Sequence, residues 1–348
     1  MIMLIAAAWA GGTAEVGVLA GVRGNAESTL EQPEAATLDA LEPSATVAIL
    51  AEGRWRWKSG LWLAGSGEAW TYLPEPDPTL LRVVPALGGT FDVGKSGHLD
   101  LAARYSLESV PVRPDRTNGR AEATLRVAGD LGAHRLGLVA VGVSRDWFEL
   151  PAWSFRTVEG GLVWDWQPSA FRLGARATGQ LNAGSTVNAS GGLDPATGQQ
   201  LRLGASGGWT GRGWDLGLEY RLYLADEGQV EDAARPQFTP VGDYDDDADA
   251  LSAGGFTQHR LGFTANGRLG TAWTLDVDLL ARVRVNEPGQ ATAAFARTFH
   301  AGVDIGRTIS GPWSLHGVGA VTTLDLPSGG ATYDPSAWVL VRWAPKAK

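Results

Sequence analysis

Apolar and polar residues alternate with a period of two along most of this chain, and full charges carry the polar side of the pattern. Residues 97–107 set His98, Asp100, Ala102, Arg104 and Ser106 against Leu99, Leu101, Ala103, Tyr105 and Leu107. Residues 171–182 set Arg172, Gly174, Arg176, Thr178, Gln180 and Asn182 against Phe171, Leu173, Ala175, Ala177, Gly179 and Leu181. Residues 273–286 set Thr274, Asp276, Asp278, Arg282, Arg284 and Asn286 against Trp273, Leu275, Val277, Leu279, Ala281, Val283 and Val285. Successive side chains of a strand point to opposite faces, so the pattern predicts strands with one apolar and one charged face. Sixteen segments qualify: 14–23, 45–57, 60–72, 79–93, 97–107, 119–130, 133–146, 153–167, 169–182, 199–210, 213–225, 255–269, 272–285, 292–309, 312–324 and 332–343. Most exceed the roughly five or six residues of a soluble strand. They reach the roughly 9–11 residues that cross a bilayer at a tilt.

The connections alternate between short and long. Lys58-Ser59-Gly60, Lys95-Ser96-Gly97, Asp130-Leu131-Gly132, Gln167-Pro168-Ser169, Gly211-Arg212-Gly213, Gly270-Thr271 and Ser310-Gly311-Pro312 are short; 24–44, 108–118, 183–198, 226–254 and 325–331 are long. An even number of antiparallel strands, with short turns at one membrane face and long loops at the other, is the pattern of transmembrane β-barrels. The expected fold is all-β: a closed antiparallel barrel of about sixteen strands over 14–343, with both ends on the short-turn side. The long loops 24–44, 183–198 and 226–254 are expected to face the cell exterior.

Tryptophan sorts by strand end. Trp55, Trp57, Trp62, Trp164, Trp166, Trp209, Trp214, Trp273, Trp313 and Trp343 lie beside short turns or at the end of the final strand. Trp70, Trp147, Trp153 and Trp338 lie toward the long loops. An indole ring is apolar with one polar handle and favours the membrane–water boundary. The first set is therefore expected at the membrane interface, with the second as its counterpart on the other side.

Composition narrows the reading. The chain has 348 residues, 44% of them hydrophobic, and no cysteine, so neither a disulfide nor a thiolate-bound metal can hold the fold. No apolar run approaches the roughly 20 residues of a spanning helix. A net charge of -9 argues against a nucleic-acid partner. Residues 1–10, with Ala8-Trp9-Ala10 at their end, resemble the remnant of a secretory signal that lacks its basic start; residues 344–348 read as a short extension.

The charged face, which includes Arg54, Glu68, Arg120, Glu122, Arg126, Asp215, Glu219 and Asp304, is too rich to pack in a dry core. Burial without water would cost several kcal/mol per uncompensated ion, so this face is expected to line a hydrated lumen. A propeller would instead repeat near 40 residues, and no such repeat is found. Segments 133–146 and 312–324 alternate weakly, and Arg135, Arg297 and Arg307 share the parity of apolar residues. Arg135 and Arg307 sit near short turns, where they can snorkel.

In architecture the chain resembles bacterial outer-membrane β-barrels of the porin size class. The final strand, Ser336-Ala337-Trp338-Val339-Leu340-Val341-Arg342-Trp343, is similar to the terminal strand read by the barrel-assembly machinery, from which Ala344–Lys348 departs by continuing the chain. The last three hairpins also resemble barrels of polysaccharide-export systems. The resemblance implies an outer-membrane location, with lipid, the assembly machinery and periplasmic envelope proteins as partners. A barrel of this size can hold an aqueous path, so the first expectation is a pore for small hydrophilic solutes. The alternatives are an export or secretion barrel and a non-conducting structural barrel of an envelope complex.

Phosphate-cradling loops, metalloprotease helices and nucleophile elbows are missing from the sequence, so neither an enzyme nor a cofactor is expected. Loop 226–254 is strongly acidic. Asp243, Asp245, Asp247 and Asp249 alternate like calcium ligands, but Ala248 and Gly254 occupy the template's glycine and bidentate glutamate positions. Arg202, Arg221, Arg260, Arg282 and Arg284 are expected to project inward from four consecutive strands, in the half nearer the long loops. Set against Asp243, Asp245, Asp246, Asp247 and Asp249, they would form a charged constriction; paired with neighbouring acids, they would only neutralise the wall. His259, close to that acidic run, could also form an Asp–His site if within hydrogen-bond reach.

Overall fold

A computed structural model describes residues 13–23, 44–73, 80–109, 111, 117–149, 154–187, 193–226, 229–231, 248–251, 255–286, 297–325 and 331–345. The strands are β1 (Thr13–Arg23), β2 (Ser44–Arg56), β3 (Leu61–Leu73), β4 (Leu80–Val93), β5 (Gly97–Ser109), β6 (Asn118–Leu131), β7 (His134–Trp147), β8 (Phe155–Trp166), β9 (Phe171–Val187), β10 (Leu193–Gly211), β11 (Trp214–Ala225), β12 (Gln229–Glu231), β13 (Ala248–Leu251), β14 (Phe256–Leu269), β15 (Trp273–Asn286), β16 (Arg297–Ser310), β17 (Trp313–Asp325) and β18 (Ala331–Trp343). All but β12 and β13 form one closed barrel of 16 antiparallel strands, in which β1 pairs with β18. Closure leaves no edge with unpaired backbone groups, the condition for a sheet to span lipid. β12 and β13 form a separate ribbon brought against β9.

The short turns are set by backbone chemistry. Gly60, Gly94, Gly132, Gly213, Gly270 and Gly311 all adopt positive φ, a region open to glycine and strained for most other residues. These turns define one end of the barrel; the long connections define the other.

The register turns the barrel inside out relative to a soluble protein. Val47, Ile49, Leu87, Leu101, Leu125, Leu138, Leu162, Leu218, Leu279 and Val341 are exposed on the outer face. Arg104, Glu122, Arg172, Glu159, Asp278 and Asp304 point inward, as the cross-strand pairs Arg104↔Glu122 and Asp278↔Gly302 require. Buried apolar residues are few beside this exposed band, and several of them, Leu19, Ala48 and Leu340 among them, lie on the inner face.

The structure corrects the sequence reading in three places. β9 and β10 run to Val187 and from Leu193, so most of the expected loop 183–198 is paired strand. Its residues are a short mixture of small, polar and apolar types broken by Gly184, Pro195 and Gly198, so hydrophobic period does not detect it. Arg135 lies on the inner face, because it pairs with Asp130 and with Asp165; the weak alternation of β7 hid its parity. Trp62, Trp147 and Trp338 also face inward, as partners of Arg56, Asn118 and Gly21. Cross-strand register fixes this, and a Trp-at-strand-end rule does not contain it.

Candidate functional site

The inner wall is a large polar surface, and its register organises it into rows. Arg221, Arg260 and Arg282 are directly opposed across β11, β14 and β15. One row toward the long loops, Arg202, Tyr223, Gln258 and Arg284 are likewise opposed. The five arginines singled out by the sequence are therefore neighbours on one wall, on consecutive barrel strands. Like charges directly opposite repel, and acids are interleaved with them. Glu159 of β8 accepts hydrogen bonds from Arg176 (2.5 Å) and Arg202 (2.8 Å), and Arg221 Nε donates to Glu219 (2.5 Å). Arg282 and Arg284 are only 5% and 7% exposed, and the Arg284 guanidinium lies 3.6 Å from the Phe256 ring centre. Asp243, Asp245, Asp246 and Asp247 lie outside the described residues, and Asp249 is described only as a backbone position of β13; the expected calcium site falls with them.

The wall of β3 to β6 is built differently. Glu122 accepts from Arg104 (2.9 Å) and Arg120 (3.1 Å), Arg82 lies 3.6 Å from Glu68, and Arg126 pairs with Asp165. These side chains all stay partly exposed. Toward the short turns, the His98 ring bridges Asp92 (3.0 Å) and Asp130 (2.6 Å), and Asp130 also accepts from Arg135 (2.7 Å). On β9 and β11, Arg172 and Asp215 form a bidentate pair, the strongest common geometry for these groups.

A third cluster spans β16 to β1. His316 Nδ1 lies 2.9 Å from Asp304, and His316 Nε2 lies 2.9 Å from Ser314 Oγ. Gly306 makes this possible: a Cβ there would sit 2.6 Å from His316 Cε1. The order hydroxyl–imidazole–carboxylate matches that of a nucleophile relay, and here it orients and compensates a buried Asp304. Nearby, Arg342 pairs with Glu15 (2.5 Å), and His300 lies 3.4 Å from Asp278. Glu159, Glu15 and His316 were not marked from the sequence. Glu159 shares parity with Asp165 in one segment and could have been; the other two needed the register.

Outside, Trp55, Trp57, Trp164, Trp166, Trp209, Trp214, Trp273, Trp313 and Trp343 stand on the outer-face parity near the short-turn end. Trp62 does not: it lies under Arg54, whose guanidinium is 4.8 Å from the indole centre. Arg307 faces outward over Trp273 (5.1 Å). His259 also faces outward, with Nδ1 2.8 Å from the Tyr220 hydroxyl. An edgeless sheet, an apolar exterior, aromatic rings at the short-turn rim and a charged interior occur together only where the outside solvent is lipid. The chain is a transmembrane β-barrel of the outer-membrane type.

One solved structure agrees on the fold of this barrel. CdiB from Acinetobacter baumannii superposes with a TM-score of 0.54 at 8% identity, over 95% of this chain and 60% of that one. A bacterial polysaccharide outer membrane secretin (TM-score 0.47, 10% identity, 96% and 98% covered) and OccAB2 of Acinetobacter baumannii (0.49, 8%, 97% and 98%) are also similar. Identities this low speak to fold alone. No protein-family model and no curated protein sequence matches the chain.

Proposed function

We propose that the barrel is a passive, water-filled pore for small hydrophilic solutes. The observation that carries this reading is the inner wall around β5 and β6, whose ion pairs Arg104–Glu122–Arg120 and Arg126–Asp165 remain partly exposed, with side chains 17–51% accessible. Charges so placed are solvated by lumenal water; dry burial would cost several kcal/mol per ion wherever compensation is incomplete. Barrels of 16–18 strands commonly leave room for such water. The reading calls for no catalytic step, cofactor or nucleic acid. Its partners are outer-membrane lipid and the machinery that assembles barrels.

Swelling of proteoliposomes in isosmotic solutes of graded size tests it. Small sugars and amino acids should enter and larger oligosaccharides should be excluded. A second reading, a non-conducting barrel held in an envelope complex, is favoured by the burial of inner residues on β15 to β18, such as Arg282, His300, His316 and Leu340. It expects no swelling with any solute, and that result would overturn the pore.

A further inference from the structure

We infer that the aqueous path is off-centre: it follows the inner face of β3 to β6, while the wall of β15 to β18 is closed off from it. The inference rests on the pore reading and adds which residues a solute meets. In the closed barrel β5 and β15 are eight strands apart in either direction, so they face each other across the lumen. Every inward residue of β5, from His98 to Glu108, is partly open. On β15, Asp278, Leu280, Arg282 and Arg284 are buried in succession, and on β16 so are Thr298, His300, Gly302, Asp304 and Gly306.

The open wall carries Ala64, Ser66, Ala86, Ala102, Ser106 and Thr124 between its charged residues. The buried inward positions of the facing wall include Leu280, Arg282, Arg284, His300, His316 and Leu340. A solute on the open side passes Arg82, Arg104, Arg120 and Glu122. These residues, rather than Arg282 and Arg284, would set charge selectivity.

The absence of native cysteine makes the test direct. Single variants Ala86→Cys, Ala102→Cys and Thr124→Cys on the open wall, and Thr298→Cys, Val318→Cys and Thr322→Cys on the covered side, are reconstituted in planar bilayers. Each is treated with a cationic methanethiosulfonate, after heat-modifiable electrophoretic mobility has confirmed the folded barrel. Loss of unitary conductance and covalent labelling in the first set, with neither in the second, supports the off-centre path. Equal reaction in both sets, or reaction confined to the second, overturns it while leaving the pore intact. No conductance from the unmodified protein overturns the pore and the path with it. If a cysteine variant fails to fold, Ser106→Cys replaces it on the open wall and Leu280→Cys on the covered side.

Discussion

Strands β5 and β15 face one another across the lumen, present the same chemistry to lipid and differ in what they present inward. Outward, β5 offers Leu99, Leu101, Tyr105 and Leu107, and β15 offers Leu275, Val277, Leu279 and Val283. Inward, β5 is a partly open column with small residues and a wet ion pair. β15 is a run of large and charged side chains, buried although they point into a polar lumen. The outer faces match because lipid is a single environment, and one rule, apolar side out, satisfies it at every strand. The inner faces are free to diverge. A side chain there can meet water or other protein groups, and each surrounding tolerates different residues.

That contrast can be broken by substitution. The largest effect should come from Glu159→Ala on β8, which leaves Arg176 and Arg202 without their shared carboxylate. Glu159 itself is buried while both arginines stay partly open; each hydrogen bond to a charged group contributes about 1.5–3 kcal/mol, and urea-dependent refolding into vesicles should show the loss of two. Next come the lipid faces, where both strands should respond alike. Leu101→Arg on β5 and Leu279→Arg on β15 should each lose about 2–4 kcal/mol near the bilayer midplane, read by the same refolding assay. A difference between them would break the equivalence of the outer faces.

Gly306→Ala probes the packing of the covered wall. The added methyl would meet the His316 ring at 2.6 Å, and overpacking of this kind costs about 1–3 kcal/mol. Ser106→Ala on the open wall adds no atoms and removes only a hydroxyl 3.4 Å from Arg82 Nε, so it should cost less. The smallest stability effect is expected from Glu122→Gln, at about 1 kcal/mol or less for a partly exposed pair. Its signature is instead electrical: removing a negative charge from the open wall should shift the reversal potential in a salt gradient toward anion selectivity. The corresponding neutralisation Arg284→Gln should leave that potential close to its original value.

Much of this was legible in the sequence, and for a physical reason. Period two, strand length and the short–long rhythm of connections report on lipid thickness and sheet closure, which are uniform constraints. They gave the strand number, the outer face and the inward direction of Arg202, Arg221, Arg260, Arg282 and Arg284. What was not legible depends on neighbours. The burial of Arg282 and Arg284, the bridging role of Glu159 and the inward turn of Trp62, Trp147 and Trp338 follow from which residues the register sets side by side. Arg135 failed in the same way: β7 alternates too weakly to show its parity, and only its pairing with Asp130 and Asp165 reveals it. The far ends of β9 and β10 were missed because their small and mixed residues, with Gly184, Pro195 and Gly198 among them, carry no clear period.

The contrast between the walls is tested most directly by a nitroxide scan of β5 and β15 in lipid, comparing collision with oxygen, which partitions into bilayers, and with a polar nickel chelate. Residues 99, 101, 103, 105 and 107, and residues 275, 277, 279, 281 and 283, should all favour oxygen. Residues 98, 100, 102, 104 and 106 should favour the chelate, and residues 278, 280, 282 and 284 should be shielded from both. Equal access of the chelate to the inward positions of both strands, or loss of the period-two alternation on either, would contradict the account.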